Sequence, residues 1–146
     1  LNMARVNTYL NFMGNTEEAF NFYKKVFGTE FISVTRMKDM PRPEGEPALS
    51  EEDAHKIMNI QLPITNGHVI MATDALASMG HHVQVGNNVT ISLDLDSKDE
   101  AESIYNQLLI NSPENSGPLA AMPWGALWGS CQDQYGIRWM ISHATA

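Results

Sequence analysis

The sequence predicts an α+β protein built from two βαβββ modules, each contributing a mixed sheet. Three observations carry this. A strand–helix unit near the start of the chain is written again in its second half. The copies keep a fixed offset, 82 positions on the helices and 83 on the strands, so one residue in the intervening turn accounts for the difference. A hairpin signal also recurs, with Gly67 matching Gly136 at an offset of 69. A period this long does not describe a solenoid; it suggests two like modules about a pseudo-twofold axis.

The 146 residues are one domain's worth of chain, read as a first module at about 5–74, a linker at about 75–86 and a second module at about 87–143. In the first module, Val6, Thr8, Leu10 and Phe12 alternate with Asn7, Tyr9 and Asn11, a strand with one apolar and one polar, aromatic face. Asn15, with Glu18 three residues on, predicts a capping box, and Ala19, Phe20, Tyr23, Val26 and Phe27 follow at helical spacing until Gly28. The helix is therefore expected over Asn15–Phe27. Glu30–Met37 is rich in β-branched residues and reads as a strand. Asp39–Asp53, with Pro41, Pro43, Pro47 and a run of acids, reads as a long loop with one helical turn from Ser50. Lys56–Ile64 follows as a strand, with Met58, Ile60, Leu62 and Ile64 on one face and Ile57, Asn59 and Gln61 on the other. Asn66-Gly67 predicts a two-residue hairpin turn into His68–Asp74.

Ala75–Gly86 is small, polar and turn-rich. Its adjacent His81 and His82 read as solvated linker, because neighbouring side chains rarely converge on one ion. The second module repeats the pattern. Val89, Ile91, Leu93 and Leu95 alternate, Ser97 and Glu100 form a capping box, and a helix runs over Ser97–Leu109. After an Asn111–Pro118 loop, Leu119–Met122 reads as a short edge strand, followed by Ala126–Gln132, a turn at Asp133–Gly136 and a last strand at Ile137–Ser142.

Nine Lys and Arg against seventeen Asp and Glu give a net charge of −8. No basic stripe exists to neutralise phosphates, so nucleic acid is not an expected partner. Cys131 is the sole cysteine, which excludes an internal disulfide and a cysteine zinc cluster. No stretch approaches a membrane span and no apolar signal core opens the chain, so the expectation is a cytoplasmic protein. Leu1 and Asn2 stand ahead of Met3 and read as additions to the natural chain.

Tyr9-Leu10-Asn11-Phe12, Gly14-Asn15, Glu18-Ala19-Phe20, Phe22-Tyr23 and Val26-Phe27-Gly28 resemble the opening of the vicinal oxygen chelate superfamily. That superfamily includes glyoxalases, bleomycin-resistance proteins and extradiol dioxygenases. Asp39-Met40, Lys56-Ile57-Met58, Thr73-Asp74, Gly86-Asn87-Asn88, Trp124-Gly125, Asp133, Tyr135-Gly136 and Trp139-Met140-Ile141 are similar to its PhnB-like branch. The resemblance spans Val6–Ser142. It implies the glyoxalase/bleomycin resistance fold, a cup-shaped mixed sheet to which each module gives half, and a homodimer.

The superfamily's metalloenzymes take ligands, mostly His and Glu, from the first and fourth strands of each module. Carried over by the offsets, those positions are Asn7, Met71, Thr90 and Met140 here. Amide, thioether and hydroxyl groups do not replace carboxylate and imidazole around a divalent cation, so no metal and no other cofactor is expected. Some PhnB-like members carry a ubiquinone-biosynthesis methyltransferase label, but the Gly-rich strand-to-helix loop that would cradle S-adenosylmethionine is not evident.

The residues expected to face the cup are Tyr9, Asn11, Asn59, Gln61, Met71, Thr90, Ser92, Trp128, Arg138 and Met140. Aromatic and thioether surface mixed with amides, hydroxyls and one cation suits a small organic ligand, with Trp128 to stack and Arg138 to pair an anion. The alternative is a superfamily enzyme, a glyoxalase-like lyase or isomerase or a dioxygenase relative, with a non-standard site. Asp74, Asp94 and the histidines are then the acid–base candidates.

Overall fold

A computed structural model describes residues 3–144; Leu1 and Asn2 lie outside them. The chain divides between Gln84 and Val85 into two compact units.

The first unit holds β1 (Thr8–Phe12), α1 (Thr16–Phe27), β2 (Ser33–Arg36), α2 (Glu51–His55), β3 (Ile57–Pro63) and β4 (Val69–Asp74). Its sheet runs β1-β4-β3-β2, with β1 parallel to β4 and the other pairs antiparallel. The helix packs on one face of this sheet. Ala19, Phe20, Tyr23 and Val26 are buried there against Phe12, Ile60, Leu62, Ile70 and Ala72. Phe20 meets Phe12 edge-on at 6.4 Å and Tyr23 at 5.6 Å, and burying one such ring contributes about 2–3 kcal/mol. Gly28 ends α1 in the left-handed conformation, its N–H bonded to the Lys24 carbonyl. The hairpin turn forms as expected: Asn66 and Gly67 both have positive φ, and the His68 N–H closes on Thr65.

The second unit holds β5 (Ile91–Asp94), α3 (Lys98–Leu108), β6 (Ala120–Ala121), β7 (Ala126–Gln132) and β8 (Arg138–Ala144). The sheet order β5-β8-β7-β6 repeats that of the first unit, again with the outer β5 parallel to its neighbour. The repeat extends to register. Tyr9 opposite Met71 becomes Ser92 opposite Met140, and Gln61 opposite Met71 becomes Ser130 opposite Met140, at the offsets read from the sequence. Ser97 caps α3 by accepting from the Glu100 N–H. Ala101, Ile104, Tyr105 and Leu108 are buried with Leu93, Trp139 and Ile141. Gly129 permits this: a Cβ there would lie 2.8 Å from Leu119 and 3.0 Å from the Tyr105 ring.

Several local expectations are corrected. The Asn15 side chain makes no capping bond; Asp74 Oδ1 accepts from the Thr16 N–H instead, at 3.0 Å. Val6 and Val89 are 83% and 75% exposed and stand outside the strands. Other expected strands are shorter as well. β2 yields to a 3-10 turn at Met37–Asp39, and β6 keeps only Ala120–Ala121. Met58 is not on the buried face with Ile60. The ladder shifts so that Thr35 faces Asn59 while Arg36 faces Ile57. This bulge sends Ile57 into the core at 1% exposure and leaves Met58 half-buried.

Candidate functional site

In the first unit, alternation and register place Tyr9, Asn11, Asn59, Gln61 and Met71 together on the sheet face opposite α1. Gln61 Nε2 donates to Asn59 Oδ1 at 3.2 Å, so these amides partly satisfy one another. In the second unit, Ser92, Trp128, Arg138 and Met140 likewise share the face opposite α3. Arg138 Nη1 already pairs with Glu114 at 2.9 Å, so the expected anion contact competes with an internal one. Thr90 precedes β5 and is exposed, and Asn7 precedes β1. Sequence reasoning left out Thr73, Ser130 and Ser142, which register puts on these same faces.

A cavity of about 690 Å³ opens at one end of the first sheet. Asn11, Met58 and Thr73 line it from the strands, Met37, Met40, Arg42 and Leu49 from the segment after β2, and Leu76, Met79, His81 and His82 from the segment after β4. Of the residues expected at the ligand, Asn11 alone reaches it. The chain around residues 75–84 is therefore a wall of the cavity as well as a connection. Its geometry is held locally: a 3-10 turn at Ala77–Met79 ends on Gly80, and the Leu76 N–H donates to His81 Nδ1 at 3.1 Å. Because Nδ1 accepts, the neutral His81 ring carries its proton on Nε2. On the other side, Met37 opens a 3-10 turn and Met40 closes it, the i, i+3 spacing that stacks side chains on one side of such a turn.

The buried carboxylates are engaged by the fold. Asp74 is 4% exposed and accepts from the Thr16 N–H on Oδ1 and the Ile57 N–H, at 2.7 Å, on Oδ2. It ties α1 and β3 to the end of β4, with one backbone donor on each oxygen. Asp133 is fully buried: Oδ1 accepts from the Tyr135 and Ile137 N–H groups and Oδ2 from Trp139 Nε1 at 2.8 Å.

Cys131 is 1% exposed, and burial, reinforced by the nearby Asp133 and Glu114 charges, pushes its thiol up to about 12 from 9.0. Its thiolate is the nucleophilic form, so a thiol reagent at pH 8 should label the protein only as fast as it unfolds; rapid labelling of the native state would contradict this burial. The unfolded chain releases this proton near 9 and the folded chain only near 12. Cys131 therefore favours unfolding increasingly as pH rises through that interval.

The four positions that the resemblance implies for a divalent metal do not fit one. Asn7, Met71, Thr90 and Met140 offer no carboxylate or imidazole, and among the described residues no three His, Cys, Asp or Glu side chains gather. No helix among them is long and apolar enough to cross a membrane.

The profile of a family described as 3-demethylubiquinone-9 3-methyltransferase matches residues 4–142. The chain belongs to this family. Solved structures that include a PhnB protein and a glyoxylase/bleomycin resistance protein/dioxygenase domain share its fold. Protein PA1353 from Pseudomonas aeruginosa is 28% identical, with a TM-score of 0.78 over 99% of this chain and 100% of that one. A PhnB protein from Bacillus cereus, called a 3-demethylubiquinone-9 3-methyltransferase, is 22% identical, with a TM-score of 0.70 over 97% and 100%. A glyoxylase/bleomycin resistance protein/dioxygenase domain from Frankia sp. EAN1pec is 9% identical, with a TM-score of 0.65 over 98% and 93%. The mixed sheets of this chain carry the glyoxalase/bleomycin resistance fold. The methyl donor's usual cradle is a Gly-rich turn leading from a strand of a doubly wound parallel sheet into a helix. Here β1 leads into α1 through Met13-Gly14-Asn15, with one glycine, from a mixed sheet; those residues do not fit such a cradle.

Proposed function

We propose that this PhnB-like chain binds a small organic molecule, and holds it without a metal ion, in the cavity of the first unit. The observation that carries the reading is the cavity itself. Its volume of about 690 Å³ lies in the range of small-molecule pockets, its wall is mostly thioether and aliphatic, and a few polar groups, Asn11 and Thr73 among them, stand within it. Thioether side chains adapt to varied ligand shapes. Asp74, the acid–base candidate beside the cavity, accepts from two backbone donors, a structural role that supports binding over catalysis. The polar sheet faces bearing Tyr9 and Trp128 extend the same reading, with the ring of Trp128 available for stacking.

A melting-shift screen of chelator-treated protein against planar aromatic acids, quinones and glycopeptide antibiotics tests this. A ligand at a hundredfold excess over its Kd stabilises by about 2.7 kcal/mol. Asn11→Trp, at an exposed strand position, puts an indole into the cavity and should abolish the shift while leaving the unliganded protein folded. Binding that needs added metal, or that survives this substitution, would contradict the reading. We further propose a homodimer, since each sheet ends in edge strands with no further ladder partner among the described residues; light scattering should give twice 16.2 kDa.

A further inference from the structure

We propose that the cavity of the first unit selects an apolar organic acid, its hydrocarbon body against the methionines and its carboxylate against Arg42 and His81. This rests on the small-molecule reading above and adds the chemical class.

The body of the ligand follows from the wall. Met37, Met40, Met58 and Met79 line the one cavity, four of the nine methionines in the chain, with Leu49 and Leu76 beside them. Met40 and Met79 are 44% and 50% exposed, so their apolar surface is not used up by the protein's own core. Polarisable thioethers pack well against aromatic rings.

The charge follows from the ionisable groups on the same wall, which are Arg42, His81, His82 and Asp74. Asp74 has both oxygens accepting from backbone N–H groups, which stabilise its charge within the fold without cancelling it. Arg42 bonds Glu46 at 3.3 Å and the Pro47 carbonyl at 2.8 Å, both through Nη2, whereas a guanidinium carries five N–H donors. His81 accepts at Nδ1 and so presents Nε2–H as a donor. The cavity thus offers N–H donors, some of them on a guanidinium, in a protein whose net charge is −8. A carboxylate meets such donors with charge-assisted bonds that a neutral amide of the same shape does not make.

Calorimetry at pH 7 with 2-naphthoate and 2-naphthamide tests the class. The acid should bind the full-length chain about tenfold more tightly than the amide, the equivalent of about 1.4 kcal/mol. In the double variant Arg42→Gln, His81→Gln, both at surface positions, that ratio should fall to about one, whatever the change in affinity for the amide itself. Arg42→Lys, which keeps the charge, should retain part of it. Equal affinity for acid and amide in the unaltered chain, or a ratio that survives the double variant, overturns the proposal. So does failure of both compounds while an uncharged ligand from the screen binds; small-molecule binding then stands and the acid class falls. If no compound of any class binds, the functional reading falls with it.

Discussion

Asp133→Ala should lower the stability of the second unit by about 3–4 kcal/mol, measured by urea unfolding followed through tryptophan fluorescence. The substitution strands three donors at once, the N–H groups of Tyr135 and Ile137 and the indole N–H of Trp139. Leaving one buried donor unsatisfied costs about 1–3 kcal/mol, and the three are not additive because they share one carboxylate. Trp139 is fully buried, so its indole has no ready access to water. Asp133→Asn should cost less, about 2 kcal/mol, because its one oxygen serves one side while its NH2 faces a donor on the other. The turn between β7 and β8 uses the same carboxylate, which accepts from the Tyr135 and Ile137 N–H groups, while the Gly136 N–H closes on the Asp133 main-chain carbonyl with Gly136 at φ +92. A loss below about 1 kcal/mol for the alanine variant would show that the carboxylate is not what organises this hairpin.

Asp74→Ala should cost about 2–4 kcal/mol in the first unit, in the absence of any ligand. It orphans the Thr16 and Ile57 N–H groups and removes a negative charge from the N-terminus of α1. The effect should appear as a lower unfolding midpoint, with the far-ultraviolet spectrum of the remaining native protein unchanged. An Asp74→Ala protein of unaltered stability would return this residue to the list of acid–base candidates.

The paired modules were legible because two kinds of signal agree across them. Helical spacing fixes Ala19, Phe20, Tyr23 and Val26 against one face, and its copy fixes Ala101, Ile104, Tyr105 and Leu108. The turn glycines Gly67 and Gly136 need positive φ, so they mark register as well as turns. Long-range devices were not legible. Asn15 and Glu18 are the residues of a capping box, yet Asp74, 58 positions from Thr16, supplies the capping oxygen, and local spacing carries no trace of that contact. The bulge opposite Arg36 is invisible in the alternation of β3, which is why Ile57 and Met58 exchange their expected environments.

The candidate site was half legible for a related reason. Strand alternation put Tyr9, Asn11, Asn59, Gln61, Met71, Thr90, Ser92, Trp128, Arg138 and Met140 into one cup-facing set; register puts the first five on one face of the first sheet and, Thr90 apart, the others on one face of the second. The cavity, however, is walled mainly by irregular chain. Met37, Met40, Met79 and His81 reach it through 3-10 turns whose periodicity is too short to register in a sequence window. One signal was available: two Met-containing turns, Met37-Lys38-Asp39-Met40 and Met79-Gly80-His81-His82, each directly following a strand or its exit.

The most direct test of metal-free binding in the first unit uses the methionines themselves. Protein carrying ε-13C methionine should give nine methyl signals, each assigned by single substitution. Chelator-treated protein is then titrated with a ligand from the melting-shift screen. The account predicts that the signals of Met37, Met40, Met58 and Met79 move together and saturate, while the remaining methionines stay near their unliganded positions. Saturating shifts confined to the other methionines, or shifts that appear only when a divalent metal is added, would contradict it.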